Sequence, residues 1–202
     1  QVMPMQLYEH QKQALEQTKG FNKVAYYLDM GLGKTFVGSE KMVQLGSDTN
    51  IIVCQKSKIN DWIQHFKDHY SRIQVYNLTD KKQLDDFISH DTAWAGYHGA
   101  TMTVGIINYD LVFRRSELLQ LEHFTLMLDE SSQIQNDTAK RTKFILKMKP
   151  DNVILLSGTP TSGKYENLWS QMHLLGWTIS KELYNRQYVN WVKVEQDGFI
   201  HF

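Results

Sequence analysis

Cysteine, proline and net charge are what this chain has least of. A single cysteine, Cys54, in 202 residues excludes an internal disulfide and a cysteine-based zinc site. It fits a reducing, intracellular compartment, cytoplasmic in a bacterial or phage-infected cell or nuclear in a eukaryotic one. Twenty-two basic residues balance 22 acidic ones, so no global positive field recruits a polyanion, and a nucleic-acid partner has to be held by a local patch. No apolar run approaches the roughly 20 residues that span a bilayer. The start, Gln1-Val2-Met3-Pro4-Met5-Gln6, lacks the basic-then-apolar layout of a signal peptide, and no membrane partner is expected. With three prolines, no repeats and no Pro/Gly-rich linker, one domain is the expected organisation.

What is present is an ordinary supply of core-forming residues, 42% hydrophobic against 22% charged. Short β-branched runs alternate with longer amphipathic stretches. Val24–Leu28, Ile51–Cys54, Ile73–Tyr76, Met102–Ile107, Phe124–Leu128 and Val153–Leu156 are predicted strands. Helices are predicted over 7–18, 34–45, 58–69, 80–90, 110–120, 138–148 and 164–175. Asp80 with Gln83 forms a capping-box pattern, and Gly46 stops the second helix. Nearly continuous apolar strands separated by helices predict an α/β fold, a mostly parallel central sheet with helices on both faces. After Gly176 the chain turns aromatic, with Trp177, Tyr184, Tyr188 and Trp191.

Three strand ends carry chemistry. Val24–Leu28 runs into Asp29-Met30-Gly31-Leu32-Gly33-Lys34-Thr35 and then a helix. Gly31 and Gly33 let the backbone curl its N–H groups toward an anion, and the helix N-terminus adds its positive end. Lys34 suits the β/γ-phosphates of ATP, and the Thr35 hydroxyl suits Mg²⁺. The leading glycine of the full phosphate-loop pattern is absent, Leu28 standing in its place. The second strand end is Asp129-Glu130. An Asp there can hold the water shell of Mg²⁺, and the adjacent Glu can orient or deprotonate an attacking water. The third is Ser157-Gly158-Thr159-Pro160, whose Ser157 and Thr159 hydroxyls can reach the acidic pair and relay phosphate state.

Taken in order, these motifs resemble helicase superfamily two, and most closely its Swi/Snf-type DNA translocases, over about residues 6–176. Leu7–Leu15 matches the family's Leu-x-x-x-Gln-x-x-Ala opening, which implies that Gln11 reads the adenine edge. Asp29–Thr35 is similar to the family's phosphate loop, which also lacks the leading glycine; Met30, Gly31, Leu32, Gly33, Lys34 and Thr35 are then the nucleotide-binding set. Ile51–Cys54 with Lys56, Ser57, Asn60, Trp62 and Phe66 resembles the next motif, and Gly105–Asp110 the one after. The acidic motif reads Asp-Glu-Ser-Ser, where most members have a His in the fourth place, so the usual coupling residue is missing.

The resemblance implies a RecA-like P-loop NTPase domain over 1–176 and an aromatic connector over 177–202, leading to a second RecA-like domain in a longer polypeptide. It implies a duplex-DNA partner whose phosphates contact Lys56, Ser57, Lys58, Asn108 and Tyr109. Lys34, Asp129 and Glu130 are the expected catalytic residues, Thr35 and Asp129 the expected Mg²⁺ holders. A restriction-type or other superfamily-two motor subunit, and a non-catalytic nucleic-acid platform, remain alternative readings. The basic run from Lys140 to Lys149 has an apolar stripe of Phe144, Ile145 and Met148 and reads as an amphipathic surface helix. Trp62, Trp94 and Trp169 read as core residues.

Overall fold

In the computed structural model, residues 7–27, 33–89, 102–136, 138–158 and 169–176 are described. Helix α1 (Glu9–Gln17) precedes strand β1 (Lys23–Tyr27), and α2 (Lys34–Leu45) precedes β2 (Thr49–Cys54). A short 3₁₀ turn (Lys56–Lys58) leads into α3 (Ile59–His69), β3 (Ile73–Asn77), α4 (Lys81–Ile88) and β4 (Met102–Asn108). Then come α5 (Tyr109–Val112), a 3₁₀ turn (Ser116–Gln120), β5 (Phe124–Asp129), a further 3₁₀ turn (Ser131–Ile134), α6 (Lys140–Lys147), β6 (Asn152–Ser157) and α7 (Trp169–Leu174). No helix among the described residues is long and apolar enough to cross a membrane.

Local chemistry sets most boundaries. Helix α2 ends where Gly46 turns left-handed (φ 74°) and returns its N–H to the Met42 carbonyl. The Asp80 side chain caps α4 by accepting from the Lys82 and Gln83 amides. The reciprocal arm of the expected capping box is diverted, because Gln83 Oε1 accepts the Asn77 amide at the end of β3 instead. The helix predicted over 110–120 is broken into α5 and a 3₁₀ turn. Between them Arg115 is buried, and its guanidinium donates to the Leu78 and Thr79 carbonyls at 3.2 and 2.9 Å. Those two acceptors pull the chain off the helical path.

The six strands pair in the order β1-β6-β5-β2-β4-β3, every pair parallel. Strand side chains alternate between two cores. Ile52, Met127, Ile154 and Leu156 face Val37, Met42, Trp62 and Phe66 of α2 and α3. Ile51, Leu126, Val153 and Leu155 face Leu84, Phe87, Phe144 and Ile145 of α4 and α6. Each fully buried aliphatic side chain contributes about 1.5–3 kcal/mol. The basic helix α6 therefore packs as the amphipathic stripe predicts. Helix α2 approaches the sheet so closely at Gly38 that an added Cβ would stand 2.7 Å from Met127 Sδ.

Candidate functional site

A parallel sheet aims all its carboxyl ends at one rim, and in open α/β sheets that rim is where ligands bind. Here the register aligns Tyr27 with Ser157, Leu156 with Asp129, and Cys54 with Asn108. The three chemical strand ends of the sequence are thereby neighbours. Met30, Gly31, Leu32 and Thr159 lie outside the described residues, as does Trp94.

At the β1 end, Gly33 sits in the left-handed region (φ 72°) and opens α2, so Lys34 and Thr35 occupy its first turn. Only glycine fits there: besides the positive φ, a Cβ would collide with Gln11 Nε2. Gln11 is buried, its Nε2 donating to the Gly33 carbonyl at 3.3 Å and its Oε1 accepting the Tyr8 amide at 2.7 Å. The expected adenine reader is thus placed beside the phosphate loop, with its amide already tying α1 to that loop.

Lys34 reaches across the rim to Glu130, Nζ to Oε1 at 2.5 Å. Glu130 itself is held left-handed, φ 54° and ψ 63°, a conformation that costs a non-glycine residue of order 1 kcal/mol. Directly after β5, its carboxylate pairs with the phosphate-loop lysine while the side chain stays 34% exposed. Asp129 stands beside it. Burial raises the Asp129 carboxyl above the ordinary carboxylate range, Glu130 adds to this, and the Trp62 donor and Lys34 oppose it. Asp129 Oδ2 accepts the Trp62 indole N–H at 2.9 Å. The Thr35 hydroxyl, in the first turn of α2, and the Asp129 carboxylate, at the end of β5, are hard oxygen donors of the kind that suits Mg²⁺.

Tyr109 departs from expectation. It is 3% exposed, and its hydroxyl donates to the Asp129 carbonyl at 2.7 Å. Buried under the acidic turn it props the β5 end and presents nothing to a phosphate. Burial pushes its phenol well above the usual value, with Asp129 adding to the effect.

The other nucleic-acid candidates surround a groove of about 680 Å³ on the same rim, beyond β2 and β4. Lys56 and Asn108 line it, joined by Asn60 of the same motif as Lys56 and by Asn77, Thr79 and Arg114, which the motif reading left unassigned. Ser57 and Lys58 are exposed on the adjoining 3₁₀ turn, and Lys58 pairs loosely with Asp61 at 3.8 Å. Asp110 adds one carboxylate to this lining, and it is paired with Arg141 at 3.2 Å; the amides, the Thr79 hydroxyl and the cations Lys56 and Arg114 are groups that can hold phosphates without reading bases.

Ser157 is fully buried at the β6 end. Ser131, where the motif departs from most members, donates its hydroxyl to Gln171 Oε1 at 2.6 Å, and Tyr27 donates to the same oxygen at 3.4 Å. Gln171, on α7, is fully buried; only a glutamine on an apolar stripe pointed to it in the sequence.

Comparison with known proteins agrees with this geometry. The family model described as "SNF2-related domain" matches residues 27–197. The Homo sapiens chromatin-remodeling ATPase INO80 is 29% identical over 157 residues, covering 73% of this chain and 10% of that protein. A Mus musculus relative, "SWI/SNF-related matrix-associated actin-dependent regulator of chromatin subfamily A member 1", is 24% identical over 153 residues, covering 73% of this chain and 14% of its own length. Among solved structures, the Sulfolobus solfataricus SWI2/SNF2 ATPase core in complex with dsDNA superposes with a TM-score of 0.72 at 20% identity, over 95% of this chain and 40% of that one. The chain therefore spans a small part of these curated relatives and less than half of the solved core. With the RecA-like sheet, the shared rim and a family match across most of its length, the chain belongs to the SNF2-related domain family.

Proposed function

We propose that this chain is the nucleotide-binding half of a DNA-dependent ATPase motor that moves along duplex DNA. One observation carries the reading: Lys34 and the Asp129-Glu130 pair, 96 residues apart for Lys34 and Glu130, converge at one rim that also borders a phosphate-compatible groove. Lys34 neutralises the β/γ-phosphates of ATP, with Gly33 and the start of α2 supplying main-chain donors. Glu130 orients a water and takes its proton. Thr35 and Asp129 would hold Mg²⁺, which supplies charge neutralisation between phosphate oxygens.

Lys56, Ser57, Lys58 and Asn108, with Arg114 across the groove, hold one strand's phosphates. The likeness to a core solved with dsDNA supports duplex DNA as the track. A second RecA-like domain, elsewhere in a longer polypeptide, completes the ATP cleft and supplies the arginine that stabilises the transferring phosphoryl. Alone, the 202 residues bind ATP weakly and turn it over slowly.

The test is ATPase activity of the full-length protein with no nucleic acid, single strands, or duplex. Stimulation by duplex is the expected result, declining steeply with salt and weakened by Lys56→Ala together with Arg114→Ala. Turnover indifferent to nucleic acid at every salt concentration would overturn the motor reading.

A further inference from the structure

Helix α3 has two ends with different neighbours. Its start, Ile59 and Asn60, lines the groove, directly after Lys56–Lys58. One turn further on, Trp62 is 2% exposed and donates its only polar hydrogen to Asp129 Oδ2 at 2.9 Å. A turn of helix advances about 5.4 Å, so groove and acidic turn are joined by one rigid element. The indole ring cannot drift, because Phe66 stacks on it and His65 meets its edge, with ring centroids 5.9 and 5.8 Å away. The Tyr109 hydroxyl fixes the main chain of the same Asp129. The Asp129 carboxylate accepts the Trp62 indole N–H on Oδ2 and is also hydrogen-bonded by the Glu130 amide.

We propose that Trp62 is a positioning residue that sets the Asp129 carboxylate for metal binding and transmits occupancy of the α3 groove to it. The inference rests on the nucleotide-site reading above and adds a route between the two sites. Such a route matters in this chain, whose acidic motif carries Ser132 where most members have a coupling histidine. A shift of the α3 start on phosphate contact moves Trp62 with it and re-aims Asp129, with no need of a side chain at position 132.

The experiment uses the full-length polypeptide with Trp62 replaced by 3-benzothienylalanine, which keeps the bicyclic volume and puts sulfur in place of N–H. Trp62→Phe serves as a second variant. The readout is binding of a fluorescent ATP analogue as Mg²⁺ is raised, with and without duplex DNA. The Mg²⁺ midpoint is expected to rise roughly tenfold, equivalent to about 1.4 kcal/mol. Affinity for the analogue without Mg²⁺ stays unchanged, and duplex, which is expected to lower the midpoint of the parent protein, no longer does so; a parental midpoint indifferent to duplex also overturns the transmission. An unchanged midpoint in the isosteric variant overturns the positioning role. A raised midpoint that duplex still lowers to the parental extent overturns the transmission. Asp129→Asn separates the underlying reading: if it leaves the parental midpoint unaltered, Asp129 does not hold the metal and the site assignment fails first.

Discussion

Lys34 Nζ and Glu130 Oε1 lie 2.5 Å apart, a contact between the first turn of α2 and a residue held in left-handed backbone after β5. The lysine that would grip a phosphate is thus already in the grip of the residue that would activate water. On the proposed function, ATP and Glu130 would compete for the same ammonium. Glu130→Gln removes a formal charge from the lysine's partner, so ATP affinity should hold or tighten a few-fold while turnover falls by at least a hundredfold. Lys34→Ala should instead weaken ATP binding by tenfold or more, in the range of about 1.5–3 kcal/mol for a charge-assisted hydrogen bond. Titration with a fluorescent ATP analogue, followed by single-turnover hydrolysis, distinguishes them. Equal ATP affinity in both variants would contradict the assignment.

Gly38→Ala is expected to destabilise the fold against the usual helix rule. In an exposed helix the change would gain about 0.5–1 kcal/mol. Here the new methyl meets Met127 Sδ at 2.7 Å and Leu156 Cδ1 at 2.8 Å, and forcing α2 off the sheet costs about 1–3 kcal/mol. Urea unfolding gives the sign directly. A more stable Gly38→Ala protein would mean that α2 packs farther from β5 and β6 than described.

His65 should give the fold an acid-sensitive component. Burial, helped by His69 and opposed by Asp68, lowers its pKa to about 4 from the ordinary 6.5. Its Nε2 lies 2.8 Å from Ser39 Oγ, which also accepts from Tyr70. The unfolded chain takes up a proton near pH 6.5 and the folded one resists until about pH 4, so this stabilisation is complete above 6.5 and is lost as pH falls through that interval. Melting temperature should therefore decline from pH 6.5 to 5 more steeply in the parent than in His65→Gln. Parallel curves would remove His65 as the cause.

Much of the fold was legible because buried parallel strands leave a clear trace: Ile51–Cys54 and Val153–Leu156 are continuous apolar runs, Phe124–Leu128 is broken only by Thr125, and each lies within an observed strand. Lys34 to Leu45 was legible at both ends through Gly33 and Gly46. What stayed hidden depends on partners distant in sequence. Arg115 breaks a helix because its acceptors are Leu78 and Thr79. Trp62 reads as core, and core it is, yet its acceptor lies 67 residues away. The available signal was general: a buried indole N–H must find an acceptor. Tyr109 stands in a motif that the resemblance reads as a DNA contact, and only packing reveals that its hydroxyl props Asp129.

The strand order has a consequence for how this domain comes into being. Among the described strands, β1 pairs with β6 alone, Lys23 opposite Val153, so it must wait for a partner far later in the sequence. Closing so long a loop is entropically slow, whereas β3 with β4 and β5 with β6 can pair over shorter spans. The strand that leads into the phosphate loop is therefore held by the longest-range pairing among the described strands. On the function proposed above, nucleotide would recognise only the finished sheet, and ATP would act as a ligand that rewards complete assembly.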